Sequence, residues 1–185
     1  MSLRQDALCA AAEFILAVEN LARKTSGLVA TVGQIKTEPG ASNVIPGEAN
    51  LTLDVRHQKD LVRRTACAAL EKIALRIARK RRGKVHWQLV QQTNSVPCSP
   101  KLASLLTCAA RNHQRSTIKL PSGAGHDAAV MGKITPAAML FIRCQGGISH
   151  HPDESATVQD VKVALNVMND FLQLLAKNLN DVAAK

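Results

Sequence analysis

Apolar residues recur along this chain with two different periods, and each period names an element. Leu8, Ala11, Phe14 (or Ile15), Val18 and Leu21 return at helical spacing. Ser2 and Gln5 form a capping box that opens this helix at residue 2, and Gly27 closes it. Leu28 to Lys36 reads as a strand, followed by a connection punctuated by Pro39-Gly40 and Pro46-Gly47. Ala49, Leu51, Leu53 and Val55 alternate strictly with Asn50, Thr52, Asp54 and Arg56, the signature of a half-buried strand. Asp60 is the N-cap of a second helix carrying Leu61, Thr65, Ala69, Ile73 and Ile77 on one stripe, with Gly83 as its stop. Val85, Trp87 and Leu89 alternate again as a strand. The order helix–strand–strand–helix–strand predicts an α+β sandwich, two helices on one face of an antiparallel sheet. A ferredoxin-like half would start with a strand before the first helix; here none precedes it.

The pattern changes after residue 95. Val96-Pro97-Cys98-Ser99-Pro100 reads as a linker, with Ser99 as N-cap and Pro100 at the first helical position. The helix that follows carries Leu102, Leu105, Leu106 and Ala109. Ala137 to Ile142 is an uninterrupted apolar run, the pattern of a strand covered on both faces. Val161, Leu165, Met168, Phe171 (or Leu172) and Leu175 mark a closing helix. This half reads as a piece of a three-layer α/β domain.

Composition narrows the class. A chain of 185 residues with 46% hydrophobic residues can bury a core in one ordinary domain or two small ones. No apolar run approaches the roughly 18–20 residues that span a bilayer, and the start lacks the order of a secretory signal. Cys9, Cys67, Cys98, Cys108 and Cys144 are odd in number and lack C-x-x-C spacing. They read as reduced, mostly buried thiols of a cytoplasmic protein. The net charge of +10 is densest from Arg76 to Lys84. Cations suit the last turns of a helix, and a phosphate-binding patch is the alternative. With three Phe, one Trp and no Tyr, base-stacking platforms are scarce, which disfavours nucleic acid.

The candidate chemistry lies between Leu120 and Glu154. Two glycine-rich turns, Pro121-Ser122-Gly123-Ala124-Gly125-His126-Asp127 and Gly146-Gly147-Ile148-Ser149-His150-His151-Pro152-Asp153-Glu154, flank the apolar run. In an α/β sheet such turns sit at strand ends, where backbone amides and imidazoles converge. His126 beside Asp127 suits a general acid or an oxyanion donor, or equally the cap of a short helix. Arg56 suits a carboxylate with its planar fork, or simply a solvated strand face. Asn43 presents an amide to a ligand, or caps its own turn. His150 alone does not make a metal centre, since catalytic zinc takes about three protein ligands plus water.

Four runs, Ser42-Asn43-Val44-Ile45-Pro46-Gly47, Leu53-Asp54-Val55-Arg56-His57, Ser122 to Asp127 and Gly147-Ile148-Ser149-His150-x-Pro152-x-Glu154, together resemble one family in order and spacing. It is the allantoate amidohydrolase, N-carbamoyl-L-amino acid hydrolase and β-ureidopropionase group of the aminoacylase/carboxypeptidase-like metallopeptidase superfamily. The resemblance covers essentially the whole chain. It implies an α/β fold in which residues 1–95 are most of a lid or dimerisation domain lacking its first strand. Residues 96–185 are then the C-terminal part of the metal-dependent catalytic domain.

The resemblance also implies roles. His150 is a metal ligand; Asn43 and Arg56 hold the substrate's carboxylate or ureido group; Gly123, Gly125 and His126 complete that pocket, His126 with a catalytic part. The implied cofactors are two divalent ions, zinc or manganese, whose other ligands and base glutamate lie in an N-terminal half without counterpart here. The expectation is therefore a fragment of an amidohydrolase that cleaves the carbamoyl or ureido C–N bond of N-carbamoyl amino acids or allantoate. Alone it is expected to be inactive, to bind no metal tightly, and to be marginally soluble or self-associate through its open sheet edge and the apolar surface that the absent half-domain would cover. Its expected partners are the small ureido or carbamoyl substrate, the missing half and a second copy paired through the lid, with no membrane. The alternatives are a non-catalytic dimerisation module and a basic nucleic-acid-binding domain.

Overall fold

The computed structural model describes residues 4–113 and 116–183. It is a mixed α/β structure of five α-helices and one two-stranded antiparallel sheet among the described residues. Two compact units divide the chain: Met1–Ser95 with Pro121–Gly123, and Val96–Leu120 with Ala124–Lys185.

The first unit begins with α1 (Ala7–Lys24), which starts later than its apolar stripe suggests. Gln5 lies outside the helix and Ser2 outside the described residues. The cap is Asp6, whose Oδ1 accepts the Cys9 N–H at 3.0 Å while Arg4 pairs with the same carboxylate. Aspartate caps as well as serine does, and the neighbouring guanidinium adds a second reason to stop there. After α1, Gly27 takes a left-handed φ of 75° in the turn to β1 (Val29–Glu38).

β1 pairs with β2 (Glu48–Arg56) from Val29 opposite Arg56 to Glu38 opposite Glu48, with one bulge between Val32 and Gln34. Alternation along β2 is as expected: Leu51, Leu53 and Val55 face inward, and Asn50, Thr52, Asp54 and Arg56 face outward. α1 and α2 (Asp60–Lys80) cover the inner face. Phe14 and Val18 of α1 meet Leu70, Ala74 and Ile77 of α2, and the inward residues of both strands close the core beneath them. Leu70 is fully buried.

The buried stripe of α2 is Ala66, Leu70, Ala74 and Ile77, so of the expected Leu61, Thr65, Ala69, Ile73 and Ile77 only Ile77 is buried, and Leu61 is exposed. Three further expectations for this unit need correction. The N-cap of α2 is Lys59, not Asp60; Asp60 sits in the first turn, its carboxylate taken by Arg63 and by the Ser95 N–H and hydroxyl. The left-handed residue ending α2 is Arg82, φ 59°, rather than Gly83. Gly83 N–H reaches Ala78 O at 2.8 Å and Arg82 N–H reaches Arg79 O at 3.1 Å, the paired bonds of a Schellman end. Finally, Val85–Leu89 is not a strand, because no described segment pairs with it. Its alternation records burial alone: Val85 and Trp87 pack on the core, Trp87 edge-on to Phe14 with ring centres 6.2 Å apart. The basic run is solvent-facing except where Lys80 and Arg81 share Glu13 of α1.

In the second unit, Ser99 Oγ accepts the Leu102 N–H and Pro100 occupies the first turn of α3 (Pro100–Asn112). α3 packs on α5 (Val158–Ala183) through Ala109, Ala110 and Val167, with Leu140, Phe171 and Leu174 around them. His113, the C-cap of α3, contacts Asp170 of α5 at 3.1 Å. Thr157 caps α5, its Oγ1 accepting the Asp160 N–H at 3.1 Å. The run Ala137–Ile142, expected as a strand buried on both faces, is neither. It has no ladder partner among the described residues, and Phe141 and Ile142 are about half exposed. A buried parallel strand needs neighbours on both sides, which an apolar run cannot supply for itself. All five cysteines are free, but three are exposed and two half-buried, so the buried-thiol expectation also fails.

Candidate functional site

In the first unit the candidate residues lie on the outer face of β2 and in the turn before it. Asn43 is exposed in the β1–β2 connection. Arg56 ends β2, and strand geometry puts Asp54 on the same face, two residues back. The two form a double contact: Arg56 Nε donates to Asp54 Oδ1 at 2.7 Å, and Nη2 to Oδ2 at 2.9 Å. The hydrogen bonds from Arg56 push the Asp54 carboxyl below its ordinary range, and Asp54 raises the Arg56 guanidinium in return. The third nitrogen, Nη1, donates to the Gly123 carbonyl at 2.7 Å. Gly123, read from sequence as a backbone-amide donor, thus also holds the arginine through its carbonyl. A side chain at Gly123 would meet nothing within 4 Å.

In the second unit His126 caps α4 (Asp127–Met131) without a side-chain bond to the helix, and its ring lies edge-on to Phe141 at 6.1 Å. His150 stands in a loop closed by Gln145 N–H on Ser155 O at 2.8 Å. Gly146 and Gly147 take left-handed φ values of 64° and 72°, where a side chain would be strained. His150 is left-handed too, with φ 59°, although it has a Cβ. Two neighbours hold it there. Glu154 Oε2 accepts the His150 N–H at 2.7 Å, and the Ser149 hydroxyl meets His150 Nδ1 at 2.7 Å. His151 does not share these partners; its Nδ1 accepts the Asp153 N–H at 3.2 Å.

Asp54 and Glu154 stand in the sequence motifs beside Arg56 and His150, but the motifs do not say that they place them. Asp54 was legible as Asp-x-Arg on an alternating strand, where the two side chains must be neighbours. The part of Glu154 had no such signal, since it depends on a left-handed backbone at His150.

The metal pair implied by the family resemblance needs several converging donors. Among the described residues no three His, Cys, Asp or Glu side chains gather to hold an ion. His150 brings one imidazole whose Nδ1 is already engaged by Ser149. These residues alone do not make a metal centre.

Comparison with known proteins decides the family. The model of peptidase family M20/M25/M40 matches residues 4–174. The chain belongs to this family. Within M20 it falls in the allantoate deiminase and N-carbamoyl-L-amino acid amidohydrolase branch. It is 36% identical to the N-carbamoyl-L-amino acid amidohydrolase of Geobacillus stearothermophilus over 96% of its own length and 43% of that relative's. It is 36% identical to allantoate deiminase 1 of Glycine max, covering 95% of this chain and 42% of that one. Among solved structures, a hydantoinase/carbamoylase family amidase from Burkholderia multivorans superposes with a TM-score of 0.86 at 31% identity. That match covers 92% of this chain and 42% of the amidase. The chain therefore spans well under half the length of these M20 relatives.

Proposed function

We propose that this chain supplies the anion clamp and one imidazole to a metal-dependent amidohydrolase. The substrate class is N-carbamoyl amino acids or allantoate, and the bond cleaved is the carbamoyl or ureido C–N bond. Arg56 binds the substrate's carboxylate and Asn43 orients the ureido group. The turn from Gly123 through Gly125 to His126 adds backbone amides and an imidazole that steadies charge on the reacting carbonyl. His150 is one donor of a divalent-metal pair whose remaining ligands come from polypeptide outside these 185 residues. On this reading residues 1–95 are a lid that also pairs two subunits, residues 96–185 belong to the catalytic domain, and the protein works in the cytoplasm.

The observation carrying this reading is the match to an N-carbamoyl-L-amino acid amidohydrolase along 96% of the chain, while 43% of that relative is spanned. Support also comes from the Arg56 guanidinium, which is exposed and held by Asp54 at the end of a polar strand face. The test is complementation. The purified chain is mixed with a polypeptide comprising the part of the Geobacillus stearothermophilus relative that it does not match, and hydrolysis of N-carbamoyl amino acids and allantoate is followed. Neither piece is expected to turn over alone, and the mixture is expected to gain chelator-sensitive activity that Arg56→Ala and His150→Ala abolish. Turnover by the chain alone, or complementation indifferent to both substitutions, refutes the proposal.

A further inference from the structure

Arg56 has five N–H donors, and the structure commits three of them. Nε and Nη2 go to the two Asp54 oxygens and one Nη1 hydrogen goes to the Gly123 carbonyl. One N–H remains on each terminal nitrogen. An exposed arginine without partners samples many rotamers, and a ligand must then meet the ordering cost. Here that ordering is already done from two sides, by a residue on the same strand face and by a carbonyl far along the chain.

We propose that Asp54 is a positioning residue, holding one edge of the Arg56 guanidinium so that the two remaining N–H groups receive a single carboxylate. The proposal rests on the reading of Arg56 as the substrate clamp. It also names the charge class of the ligand. Asp54 cancels the charge of Arg56, so the pair attracts by geometry rather than by net charge. A planar monoanion with two oxygens fits the free donors. A dianion such as phosphate would face the Asp54 carboxylate beside it.

The test uses the full chain and two readouts. Nitrogen-15 NMR of the arginine side chains reports rotation about the Arg56 guanidinium bonds, and titration with N-carbamoylglycine or inorganic phosphate reports binding at the same signals. The expected result is hindered rotation in the wild type and free rotation in Asp54→Asn. N-carbamoylglycine binding should fall roughly tenfold in Asp54→Asn, about the worth of one charge-assisted hydrogen bond, with partial recovery in Asp54→Glu and an unmoved melting transition. Freely rotating Arg56 in the wild type overturns the proposal. So does equal or tighter binding by Asp54→Asn, which would make Asp54 a competitor, and so does a preference for phosphate. Absence of wild-type binding, or binding indifferent to Arg56→Ala, overturns the clamp reading and the ligand assignment with it. That failure is told apart because the wild-type rotation stays hindered and is released by Asp54→Asn.

Discussion

The loop that presents His150 holds a conformation its own sequence disfavours, and Glu154→Ala should expose the cost. A residue with a Cβ in the left-handed region is disfavoured by roughly 1–2 kcal/mol, and His150 sits there at φ 59°. Against this, Glu154 Oε2 accepts the His150 N–H at 2.7 Å. A bond to a charged acceptor contributes about 1.5 kcal/mol, and less where both groups are exposed, as here. The two effects nearly cancel. Removing the carboxylate therefore leaves about 1 kcal/mol of unsupported strain, enough to lower the native loop to a minor population. Amide hydrogen exchange reads this directly. The His150 N–H should exchange roughly fivefold faster in Glu154→Ala, while amides of α3 and α5 keep their protection. His150→Gly in the same background should restore the loop's closing contact, Gln145 N–H to Ser155 O, because glycine takes a left-handed φ without penalty. Unchanged His150 exchange in Glu154→Ala would refute the reasoning, and so would loss of protection throughout the second unit.

Three further outcomes follow from the packing. Arg82→Gly should raise the denaturation midpoint of the first unit, adding up to about 1 kcal/mol, because it relieves a left-handed side chain at a Schellman end. Leu70→Ala should cost about 3 kcal/mol by denaturant unfolding, since Leu70 is wholly enclosed by α1 and the sheet. The Asp6 carboxyl is held down to about 2, first by the Cys9 amide and then by Arg4. Its folded pKa lies below its unfolded one, so its contribution is present above pH about 4 and fades as pH falls toward about 2. Asp6→Asn should therefore flatten the melting temperature between those values and leave the profile below them unchanged.

How far the sequence predicts the fold depends on whether a feature is local or borrowed. β2 is legible residue by residue, because alternation alone assigns Leu51, Leu53 and Val55 inward and Asp54 and Arg56 outward. Ser99-Pro100 starts α3 where the cap and fixed φ require. Pairing is not local. Val85–Leu89 and Ala137–Ile142 have the composition of strands, yet strand identity belongs to a hydrogen-bonded partner, and none lies among the described residues. Helix ends shift for a related reason. Ser2 and Asp6 both suit a cap, and Arg4 on the Asp6 carboxylate together with Ala7 N–H on Pro46 O favours the later start. In the candidate site the donor types could be read from sequence, but their holders were only half legible. Asp54 follows from strand geometry, whereas Glu154 matters only because His150 is left-handed.

We propose a site whose metal donors are divided between two stretches of polypeptide, with His150 the single donor among these residues. Native mass spectrometry of the purified chain with stoichiometric zinc tests it most directly. The predicted result is no retained ion beyond weak surface binding, and the same spectrum for His150→Ala. A stoichiometric zinc held by the chain alone and lost on His150→Ala would contradict it.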